Sequence, residues 1–355
     1  MSQPFNLAAR FRRIGVAIVS LALGLGVTAA VGPTAQAKDL SCTLAPTNGP
    51  VTHTIKSPFP LENGGVIDVE RTYLLTVPPG LKKSAPLLVL NHGANASAEN
   101  IQQNTGWDQF AAQHGFITAY TQTLVRTDRP LPVIGVPLPQ IIYPGNVWFF
   151  NEGSFDVAYL KNVVADIKNS YCVDAGRVYN WGFSEGAIMA QRMACDASDV
   201  FAAVSSWQGS DATAPSASSL DAALRLGLGP VLGLTELTEY IYRKPVPASP
   251  CRPKLPIAVG IYQGTADLYS QEPVGRQNVE QWNIRNGCPT ASTKSQTNVG
   301  FWSFINEYGP CSKDPRITEV WQSMTGEPHG WPSDPQKAED LRNTQWTYLS
   351  RYTRP

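Results

Sequence analysis

Short apolar runs recur along most of the chain, separated by polar turns or by stretches with a helical period. The runs "RTYLLTV" (71–77), "PLLVLNHG" (86–93), "FITAY" (116–120), "RVYNWGFS" (177–184), "FAAVSS" (201–206), "PIAVGIYQG" (256–264) and "ITEVWQS" (317–323) are rich in β-branched or aromatic residues. Each is bounded by Gly, Pro or polar residues, which is the pattern of buried strands. Between them, 156–168 places Val157, Leu160, Val163, Val164 and Ile167 on one face, predicting a helix; 187–195 and 336–350 predict helices in the same way. Strands alternating with helices predict an α/β domain, its mostly parallel central sheet covered by helices on both faces. In such folds reactive groups collect at the carboxyl ends of the strands. Two proline-rich apolar stretches, about 124–147 and 211–255, break this rhythm. They are too long for simple connections and are expected to be insertions over the sheet edge.

The amino-terminal segment is patterned differently. Arg10, Arg12 and Arg13 precede an apolar run from Ile14 to Val31, and Ala35-Gln36-Ala37 follows. That order of basic, apolar and small residues predicts a secretory signal peptide over 1–37, cleaved after Ala37, with 38–355 as one mature domain. The Gly, Ala and Thr content of the run and its Ala-x-Ala end favour removal over a permanent membrane anchor. The destination is expected to be extracellular or periplasmic. Removing those three arginines from 28 basic residues leaves 25 against 28 acidic ones, a net charge of −3. Such a balance attracts neither nucleic acid nor an anionic surface, so no nucleic-acid partner and no stable membrane association are expected.

All six cysteines, Cys42, Cys172, Cys195, Cys251, Cys288 and Cys311, lie beyond the leader. An even count bound for an oxidising compartment predicts three disulfides. Nearness in sequence favours Cys172 with Cys195 and Cys288 with Cys311, leaving Cys42 for Cys251. No Cys-x-x-Cys or clustered Cys/His spacing exists, so neither a metal nor a cofactor is expected.

The stretch Gly182-Phe183-Ser184-Glu185-Gly186 has the spacing Gly-x-Ser-x-Gly, with strand-like 177–181 before it and helix-like 187–195 after it. A serine hydroxyl on a sharp strand-to-helix turn becomes a nucleophile only when a base takes its proton and an acid orients that base. In this motif acid and histidine follow the serine. Of the four histidines, His53, His92, His114 and His329, His329 alone lies downstream. Asp267, in a turn directly after the strand at 256–262, is the expected acid; Asp211, Asp221 and Asp314 lie in loops or inserts without a preceding strand. The developing oxyanion needs backbone donors. The N–H of Glu185, next to the serine, and that of Ala94, after His92-Gly93, are the candidates. His92 precedes the serine and is read as a structural residue beside the Ala94 loop.

These residues resemble a known family: secreted α/β-hydrolase esterases of the polyhydroxybutyrate depolymerase and feruloyl or acetylxylan esterase type. The resemblance runs from about Arg71 to Trp331 and is carried by "LVLNHGANAS", "VDAGRVYNWGFSEGAIMAQRMAC", "YQGTAD" and "GEPHGWP". It implies an α/β-hydrolase fold and a serine carboxylesterase, with Ser184 as nucleophile, Asp267 as acid, His329 as base, and Glu185 and Ala94 as oxyanion donors. The implied partner is an ester substrate, a polyester oligomer or a hydroxycinnamoyl ester. An acyltransferase or peptidase would use the same three residues, and a non-catalytic binding protein would need them broken. Trp148, Trp207 and Trp331 fall near the expected cleft and are candidate substrate contacts. The elbow departs from the family in Glu185 and Ala187. A carboxylate beside the nucleophile is expected to oppose an oxyanion unless it points away or is paired.

Overall fold

β3 (Ala85–Asn91) is buried at every position. Its side chains alternate between two apolar clusters, Leu87 and Val89 in one, Leu88 and Leu90 in the other. Such two-sided burial is what a central parallel strand requires. The computed structural model describes residues 42–60, 65–81, 84–124, 148–150, 152–213 and 250–354. The leader at 1–37 and most of the two inserted stretches, 125–147 and 214–249, lie outside the described residues.

Among the described residues the strands are β1 (Val51–Pro60), β2 (Val66–Thr76), β3, β4 (Ile117–Thr121), β5 (Val173–Phe183), β6 (Ala203–Trp207), β7 (Ala258–Gly264), β8 (Lys294–Val299), β9 (Trp302–Tyr308) and β10 (Glu319–Met324). They form one sheet in the order β1-β2-β4-β3-β5-β6-β7-β10-β9-β8. From β4 to β10 every pairing is parallel, and the outer pairings on both sides are antiparallel. The helices are α1 (Ala98–Thr105), α2 (Trp107–His114), α3 (Phe155–Ser170), α4 (Glu185–Asp196), α5 (Glu272–Asn286) and α6 (Pro335–Leu349). Buried residues of α3, α4 and α5 join one cluster, and those of α1, α2 and α6 join the other. The expected α/β architecture with both faces covered is therefore the observed one. In α3 the predicted face is the buried one, from Val157 to Ile167.

The disulfides are Cys42–Cys172, Cys195–Cys251 and Cys288–Cys311. The first two replace the expected Cys172–Cys195 and Cys42–Cys251. Nearness in sequence reflects only the cost of closing a loop; here strand-like pairing decides. Thr43 bridges Tyr171, and Cys172 N donates to Thr43 O at 3.0 Å, which brings Cys42 beside Cys172. Cys195, near the end of α4, then faces the segment that leads into β7 and bonds Cys251 at a Cα separation of 4.9 Å.

Candidate active site

β5 ends in the tight turn that carries Ser184. The serine has φ 54° and ψ −120°, a positive φ rare for a residue with a side chain. Surrounding contacts hold this strain in place: Ser184 N donates to Trp207 O at 2.9 Å, and Ala187 N donates to Ser184 O at 2.9 Å. Both glycines of the motif have steric reasons. A Cβ at Gly182 would run into the backbone of Gly186, and one at Gly186 would run into the carbonyls of Asn91 and His92. The turn thus closes on itself and on the end of β3 only because those positions lack side chains.

Ser184 Oγ lies 2.9 Å from His329 Nε2. His329 Nδ1 lies 2.9 and 3.1 Å from the two carboxylate oxygens of Asp267. Asp267 is buried, and its Oδ1 also accepts the N–H groups of Tyr269 and Ser270 at 2.8 and 2.9 Å. An Nδ1–H donated to the carboxylate leaves Nε2 free to accept the serine proton. The three residues come from the carboxyl ends of β5, β7 and β10, which are parallel in the sheet.

The loop bearing His329 is braced by Gln208, which the sequence reading did not single out, and by Trp207, read there as a substrate contact. Gln208 Nε2 donates to Pro328 O at 2.7 Å, and Gln208 Oε1 accepts from Gly330 N at 2.7 Å. One amide side chain thus grips the backbone on both sides of the histidine. Trp207 Nε1 donates to Gly330 O at 2.9 Å. The available signal was positional: Gln208 directly follows strand β6, at the reactive edge.

Ala94 is exposed in the turn after β3. Gly93 packs so closely that a Cβ there would lie 3.2 Å from Ser184 Cβ. Glu185 opens α4, where first-turn N–H groups have no acceptor within the helix. The backbones of both expected oxyanion donors therefore border the serine. His92 is buried; Thr123 N donates to its Nε2 at 3.3 Å, so the proton is on Nδ1, which donates to Gly93 O at 2.7 Å. Burial lowers its pKa to about 4, so it stays neutral and structural.

Glu185 Oε2 accepts the N–H of Trp148 at 3.1 Å. Burial, reinforced by the charge of Asp156 and opposed by that hydrogen bond, raises its pKa to about 8. Near neutrality the carboxyl is protonated, which removes the expected conflict between its charge and an oxyanion.

Of the three tryptophans expected to touch substrate, two have other work. Trp148 is buried and its indole donates to His92 O at 2.7 Å. Trp207 is fully buried beneath the histidine loop. Their burial, which the motif did not reveal, makes Trp148 a support for the end of β3 and Trp207 a support for the histidine loop. Trp331 is half-buried and lines a cavity of about 370 Å³ together with Asn100, Asn104, Trp181, Phe183 and Ser333. Phe183 is shared between this cavity and the serine turn, with its ring 5.1 Å from that of His329.

An acetyl xylan esterase from Aspergillus awamori matches this structure with a TM-score of 0.56 at 15% identity, covering 85% of this chain and 99% of that one. The fold is the α/β-hydrolase fold. An S-formylglutathione hydrolase from Agrobacterium tumefaciens matches the same α/β-hydrolase framework with a TM-score of 0.52 at 14% identity, over 85% of this chain and 97% of that one. In sequence, the chain is similar to poly(3-hydroxyalkanoate) depolymerase C of Paucimonas lemoignei, 26% identical over 274 residues, which is 77% of this chain and 61% of the relative. It is also similar to feruloyl esterase D of Neurospora crassa, 23% identical over 209 residues, covering 58% and 59%. The chain thus spans less than two thirds of the length of these curated relatives. No protein-family model matches it. The resemblance carried by the motifs, to esterases of the depolymerase and feruloyl esterase type, reappears in these relatives.

Proposed function

We propose that the chain is a secreted serine carboxylesterase that works through an acyl-enzyme. The observation that carries this reading is the unbroken line from Asp267 through His329 to Ser184 Oγ, with hydrogen-bond distances of 2.9 Å at both links. His329 Nε2 takes the serine proton as Oγ attacks an ester carbonyl, and the N–H groups of Ala94 and Glu185 receive the oxyanion. The imidazolium, held by Asp267, then returns its proton to the departing alcohol. Water repeats the cycle: His329 takes its proton as it attacks the acyl carbonyl, the imidazolium returns that proton to Ser184 Oγ as the acyl bond breaks, and the acid leaves.

The names of the relatives supply the ester classes, a hydroxyalkanoate polyester or a hydroxycinnamoyl ester. The cavity of about 370 Å³ beside Phe183, with Trp331 on its wall and Asn100 and Asn104 at its rim, suits a short acyl or aryl group that carries hydroxyls. Secretion rests on the leader pattern and on the three disulfides; among the described residues no helix is long and apolar enough to cross a membrane.

The test is a panel of p-nitrophenyl acyl esters, methyl ferulate and suspended polyhydroxybutyrate, given to the mature protein and to Ser184→Ala. Hydrolysis of at least one class by the wild type and its loss in the variant is the expected result. Equal hydrolysis by both proteins overturns the mechanism, and inactivity of the wild type on every ester overturns the esterase reading.

A further inference from the structure

Glu185 is one of the two residues at which this elbow departs from the family it resembles, and its side chain is not idle. Three hydrogen bonds run in series from it to the loop before Ala94. Trp148 N donates to Glu185 Oε2 at 3.1 Å, Trp148 Nε1 donates to His92 O at 2.7 Å, and His92 Nδ1 donates to Gly93 O at 2.7 Å. The indole also lies against the His92 imidazole, with ring centroids 5.1 Å apart. Trp148 therefore touches the turn after the nucleophile with its backbone and the opposite loop with its side chain. The residue that supplies one oxyanion donor is connected, through a single tryptophan, to the peptides that set the direction of the other.

We propose that the Glu185 side chain is a positioning residue that locks the Ala94 loop against the nucleophile turn through Trp148 and so fixes the spacing of the two oxyanion donors. This rests on the esterase reading above and deepens it.

The surroundings of the carboxyl account for its protonation. Asp156 of α3 adds negative charge, although Arg71 of β2 pairs with it at 2.6 Å, a buried contact on both sides. His92 at the end of β3 is neutral, and the His329 imidazole is bonded to Ser184 Oγ and Asp267. Among the described residues the carboxyl accepts the Trp148 N–H, a bond that favours the charged form and that burial outweighs. Loss of the proton sets a full negative charge one residue from the nucleophile, beside the place where negative charge must develop. The consequence is an alkaline fall in kcat that belongs to Glu185 rather than to the base.

The same carboxyl affects stability. A group whose folded pKa is raised binds its proton more tightly in the folded state, so its contribution is fully present below the unfolded value. It is lost as pH rises towards about 8.

The experiment measures kcat and KM for p-nitrophenyl acetate, from about pH 6 to about pH 10, in the wild type, Glu185→Gln, Glu185→Ala and Trp148→Phe. It also follows the thermal midpoint of each protein over the same range. The wild type is expected to lose kcat with an apparent pKa of about 8. Glu185→Ala is expected to lower kcat about tenfold with KM changed less than about threefold. Glu185→Gln should recover most of that loss and abolish the alkaline fall, because the amide keeps the acceptor and cannot ionise. Trp148→Phe should lower kcat and retain the fall. An alkaline fall in Glu185→Gln identical to that of the wild type overturns the proposal, as does wild-type kcat in Glu185→Ala. Failure of the esterase reading looks different: the wild type then equals Ser184→Ala. In that event the thermal midpoints still decide the protonation claim, since Glu185→Gln must decline less steeply with pH than the wild type, and equal slopes refute it.

Discussion

Ser184 sits in a turn held by backbone contacts, to its own neighbours and to the ends of β3 and β6, whereas His329 is held by side chains that follow or end two other strands. The serine turn needs Gly182 and Gly186 so that backbone can approach backbone, and although Gly186 packs on Asn91 and His92 and Ser184 N bonds Trp207 O, the sequence requirement falls within five consecutive residues. The histidine loop depends on Asp267, Trp207 and Gln208, at sequence separations of 62, 123 and 120 to 122. A nucleophile held by backbone sterics leaves a motif. A base held by distant side chains leaves almost none, although the chemistry needs both groups equally.

The comparison can be broken at either end. Ser184→Ala removes the oxygen proposed to attack the ester and is expected to lower kcat about 10⁴-fold or more with little change in stability, measured by ester hydrolysis and thermal melting. Gly186→Ala tests the steric half of the account. Its methyl must displace the carbonyls of Asn91 and His92, so a loss of about 3 kcal/mol or more and of nearly all activity is expected in denaturant melts and assays. A variant as stable and active as the wild type would mean that the elbow does not depend on that contact. Gln208→Ala tests the other half: the loop keeps Trp207 and Asp267 but loses its grip at Pro328 and Gly330. A fall in kcat of about 10- to 100-fold, with KM nearly constant and the fold intact, is the expected outcome.

The smallest effect concerns β10, the strand from which the histidine loop departs. Glu319 is fully buried, accepts Val259 N at 2.9 Å and Asn286 Nδ2 at 2.6 Å, and burial raises its pKa to about 8. A carboxyl raised in this way stabilises the fold fully below its unfolded pKa and progressively less as pH climbs to about 8. Glu319→Gln should therefore flatten part of the decline of the thermal midpoint from weakly acidic to weakly alkaline pH. An unchanged slope would show that Glu319 is ionised throughout.

The parallel centre of the sheet was legible because strands buried on both faces are mostly apolar, as β3 is from Ala85 to Leu90. The edges were not. Every residue of β8 is exposed, so "KSQTNV" carries no hydrophobic signal, and its place is set by pairing with β9. α5 was missed for a different reason: much of its buried face is asparagine. Asn278 donates to Gly209 O and Asn286 to Ile257 O, so burial there follows hydrogen bonds rather than hydropathy. At the site, the order of serine, acid and histidine indicated Ser184, Asp267 and His329. The roles of Gln208 and Trp207 depend on contacts across the sheet edge that no local pattern records. Glu185 was visible as an oddity, but its answer lay in Trp148, at a separation of 37 residues.

The central claim is that Ser184 is the atom acylated and that His329 activates it. The most direct measurement is labelling with a fluorophosphonate followed by peptide mass analysis, on the wild type and on His329→Ala. The account predicts one adduct, on the peptide that carries Ser184, formed at a rate that falls by orders of magnitude in the variant. An adduct on any other residue, or equal labelling rates in the two proteins, would contradict it.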